Sequence, residues 1–386
     1  MVQSRIGGMG FLLGVVVFSA PAAKSLDVLQ SGTPSSISDT RQVVSGSGGQ
    51  FGFQIRANYV TSDGPGTHVT TPGVDEFGLD HDGVGDLLFS DTSGGVFRCS
   101  GSLIGDGQYI LSAAHCFTDD FGTQTVTSAS FALDTPSGTV VANASTIDIH
   151  PLWNGDFFNG HDVAVLTLDT PISLPGVPIY ELNRIFGNEI GVESVKVGFG
   201  TSGDGITGGT IASGTKRIGL NEYEDDGLGT DPITGNTNGL GINNNDLVLT
   251  YDFDSNFANR NDLNGNDADH DAFDFFFGVS DLGFGDDEVG AAPGDSGGAT
   301  FIDDNGNLVI AGITSYGLRL NDITDGSSSD VDGVLNSSWG EFGVDTRVSA
   351  PVILSFIDSI IPEPGTAGLV FVGGGLALFR RRSAHV

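Results

Sequence analysis

The apolar residues of this chain occur in short runs separated by stretches rich in Gly, Asp and Asn. Tyr109–Leu111 forms one such run and ends in an Ala-Ala-His-Cys turn, and Val163–Leu168 forms another that is apolar and largely β-branched. Runs of this length and composition predict strands. There is no internal repeat and no coiled-coil heptad. The pattern therefore predicts an all-β protein that contains many loops.

The composition agrees with that prediction and narrows the range of possible functions. The 386 residues include 60 Gly and 40 Asp, and both residue types favour turns over long helices. There are 49 acidic and 15 basic residues, a formal net charge of −34. Binding to phosphates needs a basic surface, so we expect no nucleic-acid partner. With 38% hydrophobic residues, the chain can still build a core.

The first 23 residues have the order of a secretory signal peptide. Arg5 supplies a positive start, residues 7–20 are apolar, and residues 20–23 offer small side chains for cleavage. A retained N-terminal anchor is the less favoured alternative. The segment predicts export of the protein.

The last segment, residues 361–386, also has the features of a sorting signal. Pro362-Glu363-Pro364 precedes an apolar run at 365–379, and Arg380–Arg382 follows it. This order resembles the PEP-CTERM sorting signal, which implies a short transmembrane helix, transient membrane anchoring and an exosortase-type partner. An ordinary tail anchor is the alternative. Both alternatives predict a protein at the cell envelope or outside the cell.

The two cysteines fit an oxidising compartment. Cys99 and Cys116 are the only cysteines in the chain and lie 17 positions apart. In an exported protein this pair predicts a disulfide, which would stabilise the fold by about 3 kcal/mol through loop entropy. Two separate buried thiols are the alternative.

Three short segments contain the residue types needed for nucleophilic catalysis. His115 lies beside Cys116, Asp162 lies at the start of the 163–168 strand, and Ser296 lies between glycines in Gly294-Asp-Ser-Gly-Gly. A serine is a weak nucleophile unless an imidazole takes its proton, and a carboxylate then fixes the imidazole tautomer. All three types are present, in the order His, Asp, Ser.

The segments L-S-A-A-H-C, D-V-A-V-L and G-D-S-G-G, in that order, resemble the chymotrypsin/trypsin family of serine endopeptidases. The resemblance covers about residues 84–360. It implies two packed antiparallel β-barrels (chymotrypsin-like) with a short C-terminal helix, and an active site in the cleft between the barrels. It also implies a domain at 83–360, preceded by an N-terminal extension or propeptide at 24–82.

The resemblance assigns a role to each matching residue. Ser296 would be the nucleophile, His115 the general base and then acid, and Asp162 the group that orients the imidazole. The backbone N–H groups of Gly294 and Ser296 would form the oxyanion hole. The protein would hydrolyse peptide bonds of a protein or peptide substrate through an acyl-enzyme, and it would require no metal or other cofactor.

The substrate pocket departs from the familiar trypsin pattern. The position six before the nucleophile is Gly290 and carries no acid, and the resemblance assigns Ser315 and Gly317 to the edge that binds substrate. We therefore expect small to medium apolar side chains at the cleavage site. Cleavage after Arg or Lys is the alternative, because another acid could enter the pocket from the 318–335 loop.

Two further departures concern activation and length. No Ile-Val-Gly-Gly sequence is present to supply a new N-terminus that pairs with Asp295. An acidic insertion of about 221–290 also separates Asp162 from Ser296. Its oxygen-bearing residues could hold Ca²⁺, although a solvated acidic loop is the favoured interpretation; they are Asp262, Asn264, Asn266, Asp267, Asp269 and Asp271.

Two other functional classes remain open. A protease-like binding or extracellular-matrix protein with a silent triad is the main alternative, supported by the missing activation terminus. An esterase is disfavoured, because its serine usually lies on a strand-to-helix turn and comes first in the order Ser, Asp, His.

Overall fold

The computed structural model describes residues 44–48, 51–56, 59–61, 68–75, 77–92, 94–224, 230–231, 236–237, 245–253, 283–322 and 330–361. The predicted signal peptide at 1–23, the apolar run at 365–379 and the six candidate calcium ligands lie outside the described residues. Within them, no helix is both long and apolar enough to cross a membrane.

Three strands precede the region that resembles a protease. They are β1 (Val44–Gly48), β2 (Phe51–Arg56) and β3 (Tyr59–Thr61). They belong to the predicted N-terminal extension, yet all three pair within sheets, as described below.

The next six strands form a closed antiparallel barrel in the order β4-β5-β6-β9-β8-β7. They are β4 (Val84–Asp91), β5 (Val96–Ile104), β6 (Tyr109–Ser112), β7 (Val126–Thr135), β8 (Gly138–Ile149) and β9 (Ala164–Leu168). Leu87, Leu103, Ile110, Phe131 and Leu166 belong to its buried core. The predicted strands around 109–111 and 163–168 are β6 and β9.

The rest of the chain contributes twelve strands to the described structure. They are β10 (Glu181–Leu182), β11 (Glu193–Gly198), β12 (Ser202–Asp204), β13 (Gly208–Ile211), β14 (Arg217–Glu222), β15 (Thr230–Asp231), β16 (Asn236–Thr237), β17 (Val248–Asp252), β18 (Val289–Ala291), β19 (Ala299–Asp304), β20 (Asn307–Asp322) and β21 (Phe342–Arg347).

Most of these strands form an open second sheet, or half-barrel. Its main path runs β1-β2-β20-β19-β11-β14; β10 and β21 also pair with β20, and β17 pairs with β21. Within the predicted acidic insertion at 221–290, β17 is therefore an integral strand of this sheet. The prediction of an all-β, chymotrypsin-like fold is confirmed.

The N-terminal strands complete two edges of this second region. β2 pairs antiparallel with the far half of β20, from Arg56 opposite Gly317 to Phe51 opposite Asp322. β1 pairs with β2, and β3 pairs with β18 so that Val60 lies opposite Gly290. Segments predicted as an extension thus form part of the same folded unit.

The short C-terminal helix α1 (Pro351–Ile360) follows β21, as the resemblance implies. Proline suits its first turn, because the first N–H groups of a helix have no intrahelical acceptor. Ile353 and Ile357 are four residues apart and so lie on one face, and both are fully buried in the main core.

Candidate active site

A short 3₁₀ helix at Ala114–Phe117 holds His115 at the end of β6. The sulfur atoms of Cys99 in β5 and Cys116 in this helix are bonded at 2.02 Å, so the predicted disulfide is confirmed. His115 lies close to both sulfur atoms. Because each sulfur is committed to the disulfide, this cluster offers no thiolate for a metal ion.

Asp162 binds His115 through both of its carboxylate oxygens. Its Oδ1 accepts the backbone N–H of His115 at 2.8 Å, and its Oδ2 lies 2.6 Å from Nδ1 of the ring. Asp162 is completely buried and lies just before β9, which pairs with β6 in the barrel. The two residues are therefore held together by adjacent strands of one closed sheet.

The second sheet supplies further donors to Asp162. The hydroxyl of Ser315 in β20 donates to Oδ2 at 2.5 Å, and the hydroxyl of Thr346 in β21 donates to the backbone carbonyl of Asp162 at 3.1 Å. Sequence analysis assigned Ser315 to the substrate edge and did not identify this contact. Nothing in the spacing of Ser-Tyr-Gly reveals where the hydroxyl points.

Ser296 lies on a tight loop that contacts the first barrel. Its backbone carbonyl accepts the N–H of Ser100 at 2.8 Å. Gly297 has a φ of +81°, and a Cβ there would overlap Ser112 and Ser100, so only glycine suits this close approach. Ser296 is 2% exposed and His115 is 6% exposed. The hydroxyl of Ser296 is buried and has no hydrogen-bond partner among the described residues.

The loop around Ser296 has the backbone geometry of a compact turn. Gly294 has a φ of +104°. The N–H groups of Asp295, Gly297 and Gly298 donate within the protein, to the carbonyls of Ala292, Thr314 and Asp295. The two residues predicted for the oxyanion hole, Gly294 and Ser296, thus lie in a turn whose amides at 295, 297 and 298 donate hydrogen bonds to other backbone carbonyls.

Asp295 points away from this turn into the interior of the second region. It is completely buried, and its Oδ1 accepts the N–H of Gly200 at 2.7 Å. Burial raises the pKa of this carboxyl well above its usual range, although the Gly200 N–H and the charge of Arg217 act in the opposite direction.

The other predicted pocket residues lie in β18 and β20. Gly290 is buried in β18, and a Cβ at this position would approach the Phe253 side chain to 2.8 Å. Gly317 has a strand on each side: Gly343 of β21 lies opposite it on one edge and Arg56 of β2 on the other. The structure thus places these two glycines on separate strands, and Ser315 against Asp162.

The ring of Phe157 packs against the imidazole, and two further aromatic rings pack against Phe157. The ring centroid of Phe157 lies 5.2 Å from that of His115 and 5.5 Å from those of both Trp153 and Tyr316. Asp156 caps the short helix that carries Phe157 by accepting the N–H of Phe158. Motif analysis did not identify Phe157, because its contact with His115 depends on the fold of the 154–160 loop.

The sequence model of the Trypsin family matches residues 87–239. The matched segment is therefore similar to a trypsin-like serine protease domain. The match includes His115 and Asp162 and ends before Ser296. The enzyme class that follows is a serine-type endopeptidase, a hydrolase of peptide bonds, and enzymes of this kind generally need no cofactor.

Solved structures similar to this chain include a collagenase and a serine protease. HL collagenase is 16% identical with a TM-score of 0.46, and the alignment covers 73% of this chain and 95% of the collagenase. A thermostable serine protease, AL20, from an extremophilic microorganism is 13% identical with a TM-score of 0.43, covering 72% of this chain and 97% of AL20. Both scores are below 0.5, so the functional inference rests on the family match and on this chain's own site.

Proposed function

We propose that this protein is an exported serine endopeptidase that hydrolyses peptide bonds through an acyl-enzyme, with Ser296, His115 and Asp162 as its catalytic triad. The observation that carries the proposal is the double hydrogen bond from His115 to the fully buried Asp162. With Nδ1 bonded to the carboxylate, Nε2 is the ring nitrogen that would accept the proton of the serine.

The reaction has two balanced halves. The Ser296 hydroxyl attacks the peptide carbonyl carbon and passes its proton to His115 Nε2. The resulting oxyanion accepts hydrogen bonds from the Gly294 and Ser296 N–H groups, each worth about 3 kcal/mol in the transition state. The C–N bond then breaks, and the amine leaves with the proton from His115. A water molecule then attacks the acyl-enzyme carbonyl and passes its proton to His115. The ester bond to Ser296 breaks, the carboxylic acid product leaves, and Ser296 recovers its proton from His115.

For the cleavage site, we propose a preference for small to medium apolar side chains. Gly290, Ala291 and Ala292 are apolar, and the buried Phe253 ring lies against Gly290. Trypsin-like cleavage after Arg or Lys is the alternative. The carboxylate nearest in sequence, Glu288, accepts the backbone N–H of Phe284 at 2.8 Å. A peptide-library cleavage profile separates the two preferences.

We propose that the N-terminal segment at 24–82 acts as an inhibitory propeptide. Its β2 strand pairs with β20 beginning at Gly317, on the edge that the family resemblance assigns to the substrate backbone. An extended peptide that binds by strand addition needs that edge free. Release of β2 would therefore expose the edge to substrate.

We also propose that the protein acts at the cell envelope or outside the cell. The signal peptide would be removed, and residues 361–386 would anchor the chain transiently until an exosortase-type partner removes them. The Cys99–Cys116 disulfide supports an oxidising compartment. Subcellular fractionation of chains with and without residues 361–386 tests the anchor.

Calcium binding by the acidic segment at 262–271 remains a proposal that is less favoured than the alternative, a solvated acidic loop that binds no ion. A rise in melting temperature with Ca²⁺, absent from an Asp267/Asp269 double variant, would support the ion. An unchanged melting temperature would exclude it.

The main functional test is peptide hydrolysis by the wild type, Ser296→Ala and His115→Ala. The proposal expects turnover in the wild type and its near-complete loss in both variants. Wild-type turnover that persists in Ser296→Ala would refute the triad. A wild type that is inactive both with and without residues 24–56 would favour the silent, protease-like binding protein.

A further inference from the structure

The carboxylate of Asp295 occupies a cradle formed by two glycines. A Cβ at either Gly198 or Gly200 would overlap this carboxylate. The carboxylate fits here because neither residue has a side chain. Its Oδ1 accepts the Gly200 N–H, whereas its Oδ2 is buried without a hydrogen-bond partner among the described residues. A buried carboxylate oxygen in this state is costly unless a cation or a water faces it.

Arg217 is the cation that faces this carboxylate. It lies directly opposite Gly198 across the β11–β14 pair, and opposed residues share one face of a sheet. Arg217 and Asp295 line one cavity of about 20 Å³, which is room for about one water molecule. The Nε of Arg217 is buried and, like Asp295 Oδ2, has no hydrogen-bond partner in the described part of the chain.

The other cation that lines this cavity is committed elsewhere. Lys196 is fully buried, and its Nζ donates to Thr300 at 3.0 Å and to Asp345 at 3.1 Å. Arg217 makes one long contact, from a terminal nitrogen to the Thr215 carbonyl at 3.4 Å. Its charge is therefore the one available to act on Asp295 across the cavity.

We infer that Arg217 is a positioning residue, which anchors Asp295 through a water in this cavity and so holds the Gly294–Gly297 turn. The inference rests on the proposed function, because that turn carries Ser296 and the predicted oxyanion donors. It also replaces the expected activation step: the turn is assembled by an internal guanidinium, with no requirement for a new N-terminus. Removal of the N-terminal segment would then act by exposing the β20 edge.

The first test compares Arg217→Gln with Arg184→Gln. Arg184 is an exposed arginine that pairs with Asp358 on α1, so its exchange controls for loss of a surface charge. Removing Arg217 lowers kcat at least about tenfold with KM within about twofold, since the lost interaction supports the transition state. Guanidinium ion at a non-denaturing concentration restores activity to Arg217→Ala but not to Ser296→Ala. Wild-type kcat in Arg217→Gln would overturn the inference.

The second test does not depend on activity. Melting temperatures are measured for Arg217→Gln, Asp295→Asn and the double variant. If Arg217 acts on Asp295, the double variant melts no lower than the less stable single variant, because either exchange breaks the same interaction. Additive losses would overturn the inference. Non-additive losses in a chain that hydrolyses no peptide either with or without residues 24–56 would support the inference and refute the proposed function instead.

Discussion

The two β regions of this protein contribute to the site in different ways. The first is a closed barrel, so every one of its strands has a partner on both sides, and it holds His115 just after β6 and Asp162 just before the adjacent β9. The second is an open sheet in which the chain's own strand β2 covers the far half of β20, and the turn between β18 and β19 supplies Ser296 and Asp295. Under the proposed function, the barrel would fix the base while the open sheet would control substrate access and the oxyanion turn.

The largest expected effect comes from breaking the barrel's contribution. Asp162→Asn should lower kcat by about 10⁴-fold, because an amide leaves the imidazole in the wrong tautomer. Steady-state hydrolysis measures this loss. Asp156→Asn is the matched control, since the Asp156 carboxylate caps the short 157–159 helix and makes no hydrogen bond to the triad within the described residues. A loss below about tenfold in Asp162→Asn would contradict the triad.

The next effect tests the contact between the regions. Ser315→Ala removes a hydroxyl that donates to Asp162, and hydrogen bonds to charged groups contribute about 1.5–3 kcal/mol. We expect kcat to fall roughly 10- to 100-fold with little change in KM. A rise in KM at constant kcat would instead assign Ser315 to substrate binding, as the sequence resemblance implies.

A smaller effect, of opposite sign, should follow from opening the second sheet. Deletion of residues 24–56 removes β1 and β2 and keeps β3. It should raise kcat/KM at least about fivefold, because backbone groups on the β20 edge that pair with β2 become available to hydrogen-bond the substrate. Deletion of residues 24–48 is the control, because it removes β1, whose partner is β2. Equal activity of both deletions and the full chain would refute the inhibitory role.

The smallest effect concerns stability at acid pH. Burial and the neighbouring His161 lower the pKa of His150 from 6.5 to about 4. His150 is therefore protonated below about pH 6.5 in the unfolded chain, but only below about pH 4 in the folded chain. This contribution to stability is complete above about pH 6.5 and is lost as the pH falls towards 4.

Melting curves between pH 7 and pH 4 test this shift. The His150 ring contacts His161 and Phe356 of α1, so His150→Phe keeps an aromatic ring without a titrating group. The variant should lose less melting temperature on acidification than the wild type does. Parallel losses in both proteins would show that His150 is not responsible.

Sequence reasoning identified the fold and the disulfide because local runs and one cysteine pair carry that information. His115, Asp162 and Ser296 were recognised from motifs, and the structure brings His115 and Asp162 into contact. Other contacts depend on partners distant along the chain. Ser315 reaches Asp162 across 153 positions, and Arg217 lines the same cavity as Asp295 because β14 pairs with β11. No local sequence pattern encodes such a register between strands. For the same reason, the sequence did not predict the pairing of β2 with β20.

The most direct test of the central claim is the rate at which a fluorophosphonate probe labels Ser296, in the full chain and in the chain lacking residues 24–56. The claim is that the barrel's His115 activates Ser296 whether or not the N-terminal strands are attached. We predict that both wild-type forms are labelled, and that labelling disappears in Ser296→Ala and His115→Ala. Labelling that persists in His115→Ala, or its absence from both wild-type forms, would contradict the account.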